Sequence, residues 1–500
     1  MPESLFQPED KYMTMLPEAK LYIDGVIRRA SGDKTYDNTG PWTGEVVGKA
    51  ADASREDVDA AIAAARRAFD RTNWSTSHAM RFELMKKYRD LLYANRQKLV
   101  DISRYEAGAA IGAAARAQVD GALFGMDGLL ECFPLVKWEE DRGIRRDYGF
   151  DTARIVTHEA VGVVGAITPW NVPLYVNIGK VVAALLAGCT VVLKPAPDTP
   201  LMGTYMGELA AEAGLPPGVL NVVTSADPAM AGEMLVTDPR VDLISFTGST
   251  AVGRRVMEKG AATLKRVFLE LGGKSANIIL DDAPNFAQTV MGGMVVFHAG
   301  QGCAYPTRLL VPKSRYEEAV KALEMGYAGF ASKWGEIDEP TCIMGPVISR
   351  RQMDRVMSYI EIGKQEGARL LAGGKVRTDK GGGFFVEPTC FVDVRNDMRI
   401  AREEIFGPVL VVIPYEDDED AIRIANDSEY GLGGAIFSGD KERAIRMAKR
   451  IRTGSISVNG GVSITGDLPF GGYKSSGIGR EWGREGIEEF LETKAIGIRA

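Results

Sequence analysis

The chain has 500 residues, of which 45% are hydrophobic and 25% are charged. This length and balance are typical of a globular protein with about two or three domains, and they exclude a disordered chain, a coiled coil and a collagen-like repeat. The net charge of −7 lacks the basic excess typical of nucleic-acid-binding proteins. The longest apolar run, Val181–Leu193, is shorter than the roughly twenty residues that a bilayer-crossing helix needs, so we expect no membrane association.

The N-terminal residues 1–16 contain no basic stretch followed by an apolar one. We therefore expect no secretory signal and a cytoplasmic location. The five cysteines and three histidines are scattered along the chain and show none of the spacings that bind zinc. This pattern predicts neither a disulfide framework nor a metal site.

The first part of the chain has a helical pattern. Ser54 and Asp57 have the spacing of a capping box, and apolar residues then recur at helical intervals. A longer helical pattern covers residues 77–107. The charged, irregular residues 136–158 predict a hairpin that stands apart from the main body.

From Glu159 onward, short apolar strands alternate with helices as far as the run ANIIL, residues 276–280. This alternation predicts βαβ units and a parallel sheet buried on both faces. The C-terminal half repeats the pattern more loosely, with helices over 316–328 and 350–366. The predicted fold class is therefore α/β, with two α/β domains joined by the hairpin.

A glycine-containing turn, Thr247-Gly248-Ser249, follows one of the predicted strands and precedes a helix. The free N–H groups of a helix N-terminus suit a phosphate, and glycine lets a ligand approach the backbone. The dinucleotide-binding fingerprint Gly-x-Gly-x-x-Gly does not occur in the chain. Without it, a simple turn that binds nothing is the alternative interpretation.

Three side chains are candidates for catalysis. Cys303 lies in a glycine-rich segment that could expose its sulfur, although an unselected cysteine is usually a small buried hydrophobe. Glu270 interrupts an apolar strand, where a carboxylate needs partners or a catalytic task; the alternative is a strand-end residue solvated by the turn. Asn171 lies in a proline-flanked turn, where its amide either donates to an oxyanion or only shapes the turn.

Seven motifs between residues 168 and 481 carry a resemblance to a known family. In chain order they are TPWNVP, LKPAPDTP, FTGST, LELGGKS, GQGCAYPTR, EEIFGPV and PFGGYKSSGIGRE. Together they resemble the non-acylating, NAD(P)-dependent aldehyde dehydrogenase superfamily, and the similarity extends from Leu21 to the C-terminus. The resemblance implies a Rossmann-like cofactor domain, an α/β catalytic domain and a small β oligomerisation element.

The resemblance also implies a division of the chain into these three parts. The cofactor-binding domain would comprise 1–138 and 159–270, and the catalytic domain would comprise 271–483. The oligomerisation element would comprise 139–158 and 484–500. Because its exposed edge strand would pair with another subunit, a homodimer or homotetramer is expected.

The activity implied by the resemblance is oxidation of an aldehyde to a carboxylic acid. Cys303, as a thiolate, would form a thiohemiacetal and then a thioester, while Asn171 and the backbone N–H of Cys303 hold the oxyanion. Glu270 would activate the water that hydrolyses the thioester. Lys180 and Glu481 match positions linked with proton transfer to and from this glutamate; a surface or interface salt bridge is the alternative.

The cofactor implied by the resemblance is NAD. Its binding residues would be Thr168, Pro169, Trp170, Lys194, Gly248, Ser249, Leu271, Gly272, Glu404 and Phe406. The family often has glutamate three residues after Lys194, where this chain has Pro197. Because that glutamate would bond the ribose hydroxyls and repel a 2′-phosphate, its loss leaves NADP open, with Asp198 as a candidate substitute.

The substrate pocket implied by the resemblance is largely apolar and comprises Val172, Tyr175, Val176, Gly179, Phe297, Ile464 and Phe470. Some relatives have tryptophan or arginine where this chain has Gly179. Since glycine removes both the aromatic wall and the cation, we expect a roomy tunnel for medium or bulky aliphatic or aromatic aldehydes. Succinate semialdehyde should be a poor substrate. Tyr305, two residues after the cysteine, has no assigned role.

Two other functions are compatible with this scaffold. A CoA-acylating semialdehyde dehydrogenase would release its thioester to CoA, but that subgroup typically lacks the base that Glu270 provides here. A non-catalytic binding or structural protein need not keep Cys303, Glu270 and Asn171 together.

Overall fold

The computed structural model describes residues 16–330, 334–337, 339–379 and 381–499. The expectation about a secretory signal concerns the N-terminal segment, and residues 1–15 lie outside the described residues. Within the described ranges, every helix is too short or too polar to traverse a lipid bilayer.

The strands are short, and most of them are central strands of two sheets. In chain order they are β1 Leu21–Ile23, β2 Val26–Arg28, β3 Thr35–Thr39, β4 Val46–Ala51, β5 Glu139–Asp147, β6 Phe150–Ala160, β7 Val163–Ile167, β8 Thr190–Lys194, β9 Leu220–Val222, β10 Leu243–Thr247, β11 Arg266–Glu270, β12 Ala276–Ile279, β13 Arg308–Pro312, β14 Arg369–Ala372, β15 Thr389–Val392, β16 Val409–Tyr415, β17 Gly434–Phe437, β18 Ser457–Val458, β19 Gly477–Ile478 and β20 Leu491–Arg499.

The helices mostly connect successive parallel strands. In chain order they are α1 Arg55–Arg71, α2 His78–Ala94, α3 Arg96–Glu106, α4 Ile111–Ala113, α5 Gly121–Cys132, α6 Pro173–Ala187, α7 Pro200–Glu212, α8 Pro228–Thr237, α9 Thr250–Gly260, α10 Phe286–Gly292, α11 Tyr316–Phe330, α12 Arg350–Gln365, α13 Arg399–Arg402, α14 Asp418–Asn426, α15 Lys441–Ala448 and α16 Gly483–Glu488.

The first sheet has the strand order β19-β11-β10-β7-β8-β9-β1-β2. Strands β7 to β11 pair with one another in parallel. Along β8, Val191 and Leu193 join one hydrophobic cluster with α6, whereas Val192 joins another cluster with α1. Because helices cover both faces, the strand is apolar at successive positions instead of alternating with polar residues.

The second sheet has the order β14-β15-β16-β13-β12-β17-β18. Its strands pair in parallel, except that β14 is antiparallel to β15 at the edge. A separate sheet consists of the hairpin β5–β6 with β20 paired along the outer side of β6. The chain therefore has two α/β layers and a small antiparallel sheet.

The predicted α/β class, the parallel strands and the hairpin are confirmed, as is the capping box between Ser54 and Asp57. The helical pattern predicted over 77–107 corresponds to two helices, α2 and α3, which Asn95 separates. Its side-chain amide donates to the Leu91 carbonyl at 2.9 Å and so competes with the backbone hydrogen bonds of a continuous helix. The division into three domains at the bounds given above stays a prediction.

Candidate active site

The first group of predicted site residues follows the parallel strands of the first sheet. Strands β8 and β11 end at Lys194 and Glu270, and the turn after β7 contains the residues from Thr168 to Asn171. The turn after β10 contains Gly248 and Ser249. All of these residues therefore lie at the carboxyl edge of one parallel sheet, where α/β proteins bind ligands.

The second group precedes parallel strands of the second sheet. Residues 272–275 lead into β12, Cys303 lies shortly before β13, and Glu404 and Phe406 lie before β16. The cysteine segment approaches residues 272–275 so closely that a Cβ atom on Gly273 would lie 2.4 Å from the Cys303 carbonyl oxygen. Only glycine permits this contact, which joins the amino edge of the second sheet to the site.

Two adjoining cavities of 370 Å³ and 280 Å³ form an elongated cleft between these edges, and Pro169, Trp170, Thr247 and Gly248 line both of them. All ten predicted cofactor-binding residues line one or both cavities. The smaller cavity is also lined by Asn171, Glu270 and Cys303. The cleft therefore has its candidate reactive groups at one end.

Cys303 and Glu270 both line the smaller cavity, and their side chains interact electrostatically there. Burial, together with the charge of Glu481, raises the pKa of Glu270 to about 8. Burial and the neighbouring Glu270 carboxylate raise the pKa of the Cys303 thiol, which remains partly exposed to the cleft. One oxygen of Glu270, Oε1, has no hydrogen-bond partner among the described residues, so it is available to a ligand in the cleft.

Asn171 is held from both its side chain and its backbone. Its Nδ2 donates to the Gln301 carbonyl at 3.0 Å, and its own carbonyl accepts from Gln118 Nε2 at 3.1 Å. Gln118 in turn contacts the buried ring of His298. Because an amide has two N–H donors, one donor of Asn171 remains for an oxyanion.

Lys180 and Glu481 form an ion pair of 2.5 Å in which both side chains are almost completely buried. Lys180 also donates to Ser245 Oγ at 3.2 Å and lies over the ring of Phe268. The surface salt bridge considered as an alternative is therefore wrong for this pair. The charge of Glu481 raises the pKa of Glu270 and that of Lys180 lowers it, so the pair acts electrostatically on the site.

The cofactor side of the cleft has both charged and aromatic groups. Glu404 accepts from the backbone N–H of Gly273 at 2.9 Å, and burial raises its pKa to about 7. The rings of Trp170 and Phe406 meet edge to face at 5.3 Å. Ser249 caps α9 through the N–H of Val252, and Gly248 and Ser249 line the smaller cavity at the N-terminus of this helix.

The predicted substrate residues occupy less uniform positions. Val176 lines the smaller cavity, whereas Phe470 is buried and pairs with Glu481 through its backbone. Phe297 lies beside Tyr305, with ring centroids 6.3 Å apart. The remaining residues are Val172, which precedes α6, and Tyr175 and Ile464, which pack against the larger hydrophobic core. Their joint role as a substrate pocket stays a prediction.

The expectation of open space beside Gly179 is wrong. A Cβ atom at this position would lie 3.0 Å from the indole of Trp482, which is completely buried. The indole also lies against Gly125 on α5 and packs on Tyr175 with ring centroids 4.6 Å apart. The aromatic wall is therefore not lost, because a tryptophan more than 300 residues away in the chain occupies the space that glycine leaves.

Gly179→Leu is expected to destabilise the protein by about 1–3 kcal/mol, because the larger side chain forces the buried indole to move. Combining it with Trp482→Ala should give a smaller loss than the sum of the two single losses, with a coupling of about 0.5–3 kcal/mol. Denaturant midpoints of the unmodified protein, the two single variants and the double variant measure this coupling.

Gly329→Leu is the matched control, since Gly329 lies within α11 and a Cβ there meets no atom within 4 Å. It should leave stability unchanged or raise it. If the losses of stability caused by Gly179→Leu and Trp482→Ala were strictly additive in the double variant, the contact between Gly179 and the Trp482 indole would be contradicted.

Trp482, Gln118 and His298 are site-supporting residues that the sequence analysis missed. Trp482 follows Glu481 directly, and a large aromatic beside a candidate polar residue was the available signal. Gln118 lies in a π-helical turn over 114–120, and nothing in its local pattern indicates a contact with Asn171.

Comparisons with known proteins agree with this geometry. The model of the aldehyde dehydrogenase family matches residues 27–496. A 3-succinoylsemialdehyde-pyridine dehydrogenase from a Pseudomonas species is 42% identical over 485 residues, which cover 95% of this chain and 98% of the relative.

Two solved structures extend the similarity to the fold. A Mycobacterium tuberculosis aldehyde dehydrogenase complexed with NAD⁺ has a TM-score of 0.91 and 43% identity, covering 97% of this chain and 98% of that one. A mutant of aldehyde dehydrogenase C from Pseudomonas syringae, complexed with NAD⁺ and octanal, has a TM-score of 0.88 and 40% identity, with coverages of 95% and 96%.

The two largely parallel sheets enclose a cleft that has a cysteine and a buried carboxylate at one end. Together with the similarity to a dehydrogenase complexed with NAD⁺, this arrangement defines the class as an α/β oxidoreductase. Within that class, this chain belongs to the aldehyde dehydrogenase family. The family resemblance carried by the seven motifs is thereby confirmed.

Proposed function

We propose that this chain oxidises a medium or bulky aldehyde, aliphatic or aromatic, to the carboxylic acid with NAD as the oxidant. The observation that carries the proposal is that Cys303 and the buried carboxyl group of Glu270 line the same cavity as Asn171. This arrangement combines a nucleophile, a base and an oxyanion donor at one end of a cleft that the ten expected cofactor-binding residues also line.

In the first half of the reaction, Cys303 releases its thiol proton to solvent water, and its sulfur, as thiolate, forms a bond to the aldehyde carbon. The free N–H of Asn171 and the backbone N–H of Cys303 donate to the resulting oxyanion, and one such donor is typically worth about 10²–10³ in rate. The chemistry supplied by bound NAD is acceptance of a hydride from the thiohemiacetal carbon. Loss of that hydride leaves a thioester on Cys303.

In the second half, Glu270 as carboxylate removes a proton from water while the water oxygen bonds to the thioester carbon. The carbon–sulfur bond then breaks, and Cys303 leaves as a thiolate. General-base assistance of this kind is worth about 10²–10⁴ in rate. Lys180 and Glu481 hold the charge balance around Glu270 and provide a buried route for its proton.

The residues of the cleft fit NAD by the chemistry of their side chains. Near the larger cavity, the buried amine of Lys194 bonds only the Pro195 carbonyl and is available to ribose hydroxyls. The turn at Gly248 and Ser249 offers the N-terminus of α9 to the pyrophosphate. Glu404 and Phe406 line the smaller cavity next to Cys303, where they would hold the nicotinamide ribose and ring.

NAD is preferred here over NADP. The solved relatives from M. tuberculosis and P. syringae were both obtained with NAD⁺. Asp198 lines the larger cavity beside Pro197, and its carboxylate would take over part of the role of the absent glutamate.

The proposed substrate class rests on size and polarity. The relatives named above act on an aldehyde that bears a pyridine ring, or bind octanal, according to their names. The buried Lys180 is neutralised by Glu481, so it offers no free cation to a second carboxylate of the substrate. A dicarboxylate-forming aldehyde should therefore bind poorly.

A panel of aldehydes is expected to rank octanal and benzaldehyde above succinate semialdehyde in kcat/KM, by about tenfold or more, which corresponds to roughly 1.4 kcal/mol. The rate of NADH formation measures this ranking, and the same assay with NADP measures the cofactor preference. A preference for succinate semialdehyde would overturn the substrate class, and a large preference for NADP would overturn the cofactor.

We further propose a cytoplasmic homodimer or homotetramer. The sheet of β5, β6 and β20 exposes Ile144, Phe150 and Ile498, which suits an interface between subunits. The five cysteines are free thiols, in keeping with a reducing compartment. Sedimentation of a monomer would contradict the oligomer. CoA acylation is not favoured, because Glu270 is available to assist water.

A further inference from the structure

A small cavity separate from the cleft is lined by the residues that directly follow Gly273. Its wall includes Lys274 and Ser275, which precede β12, together with Arg308 at the start of β13 and Thr453. Its free volume of about 10 Å³ holds a single occupant the size of a water molecule or a small ion. The cavity shares no lining residue with the two cavities of the cleft.

Positive charge dominates this cavity. Lys274, Arg308 and Arg452 line it, and none of the described residues in its wall is Asp or Glu. Lys274 and Arg308 are almost completely buried, with exposures of 1% and 2%. Burial, followed by the charge of Arg308, lowers the pKa of Lys274 to about 7, and the charges of Glu404 and Glu403 offset this effect only in part.

Several hydrogen-bond donors of the cavity have no acceptor. Lys274 Nζ, Ser275 Oγ and Thr453 Oγ1 are buried and have no hydrogen-bond partner within the part of the chain that the structure describes. The guanidinium of Arg308 donates only to neutral acceptors, which are the carbonyls of residues 274, 424 and 425 and the side chain of Asn396. An ammonium group has three donors and no acceptor, so a partner with lone pairs is missing.

The carboxylates that act electrostatically on Lys274 and Arg308 are Glu404, Glu403 and Asp427, and they have other hydrogen-bond partners. Glu403 accepts from Tyr359 and Arg399. Glu404 accepts from the N–H of Gly273 on the cleft side, and Asp427 binds Asn396 and Arg402. A buried cation without a partner is costly. A water molecule would accept hydrogen bonds from some of the donors but would leave the positive charge uncompensated. A monovalent anion of chloride size would accept these hydrogen bonds and would also compensate the charge.

We propose that this cavity binds a small monovalent anion, of the chloride type, between Lys274 Nζ, the hydroxyls of Ser275 and Thr453, and the charge of Arg308. The bound anion would fix the segment 272–275, which contacts Glu404 on one side and the Cys303 loop on the other. The site does not depend on the aldehyde chemistry, because none of its ligands takes part in the proposed reaction.

Bromide is the probe for this site, since it replaces chloride and scatters anomalously. Crystals of the full chain soaked in sodium bromide should show one anomalous peak within hydrogen-bond distance of Lys274 Nζ and Thr453 Oγ1. In solution, sodium chloride should raise Tm by about 1–3 °C in a saturable manner relative to sodium gluconate at equal ionic strength.

Lys274→Met and Thr453→Val should each abolish or strongly weaken the chloride-dependent rise in Tm. Lys449→Met, at the exposed end of α15, should retain the full rise. The absence of a bromide peak in the cavity, with ordinary water density instead, would overturn the proposal. Equal responses to chloride and gluconate, or an unchanged chloride response in both cavity variants, would overturn it as well.

Discussion

Cys303→Ala is expected to lower kcat for aldehyde oxidation by about 10⁴-fold or more, because removal of a covalent nucleophile leaves no alternative route to the thioester. The thiol has this role in our account because it is partly exposed to the cleft and lines the same cavity as Glu270. Steady-state NADH formation with octanal at saturating NAD measures the loss.

Cys132→Ala is the matched control, since Cys132 lies at the end of α5 in the hydrophobic core and lines neither cavity of the cleft. It should retain most of the activity. Binding of NAD to the Cys303→Ala protein should also persist, which separates loss of chemistry from loss of folding. If Cys303→Ala kept more than about one hundredth of the original rate of aldehyde oxidation, the assignment of Cys303 as the nucleophile would be contradicted.

Glu270→Gln is expected to lower kcat by about 10²–10⁴, the usual contribution of a general base. Glutamine keeps the size of the side chain and can still contact Cys303, but it cannot accept a proton from water. The first turnover should therefore produce up to one NADH per active site, and hydrolysis of the thioester should limit every later turnover. Stopped-flow absorbance of NADH separates this burst from the steady state.

The pH dependence provides an independent readout of the same residue. Burial raises the pKa of Glu270 to about 8, and only its carboxylate form assists hydrolysis. The kcat of the unmodified enzyme should therefore rise with pH and level off above about pH 8. In Glu270→Gln, kcat should no longer rise to a plateau near pH 8. An unchanged pH profile of kcat in this variant would contradict the assignment of Glu270 as the base. The absence of an NADH burst from the variant would contradict it as well.

The sequence predicted much of the fold because the apolar runs of β7, β8 and β10 are continuous and separated by helical segments. Parallel strands then require Asn171, Lys194, Gly248 and Glu270 to lie at one edge. The general arrangement of the cleft thus follows from local patterns and from chain order.

Contacts between distant residues could not be predicted in this way. Gly179 was interpreted as a gap, because nothing near it in the sequence indicates that Trp482 fills the space. The same limitation applies to Gln118 beneath Asn171 and to the cluster of Lys274 and Arg308, which only the packing of the second sheet brings together. The end of α2 depends on the side chain of Asn95, which tertiary structure holds through Tyr205.

The central claim is that the Cys303 sulfur, the Glu270 carboxylate and the Asn171 amide act together on one substrate. Mass spectrometry of the acyl-enzyme tests this claim most directly. The Glu270→Gln protein, quenched in acid seconds after mixing with octanal and NAD, should gain the mass of one octanoyl group. Proteolysis should locate this group on the peptide that contains Cys303. An unmodified Cys303 peptide under conditions in which NADH has formed would contradict the account.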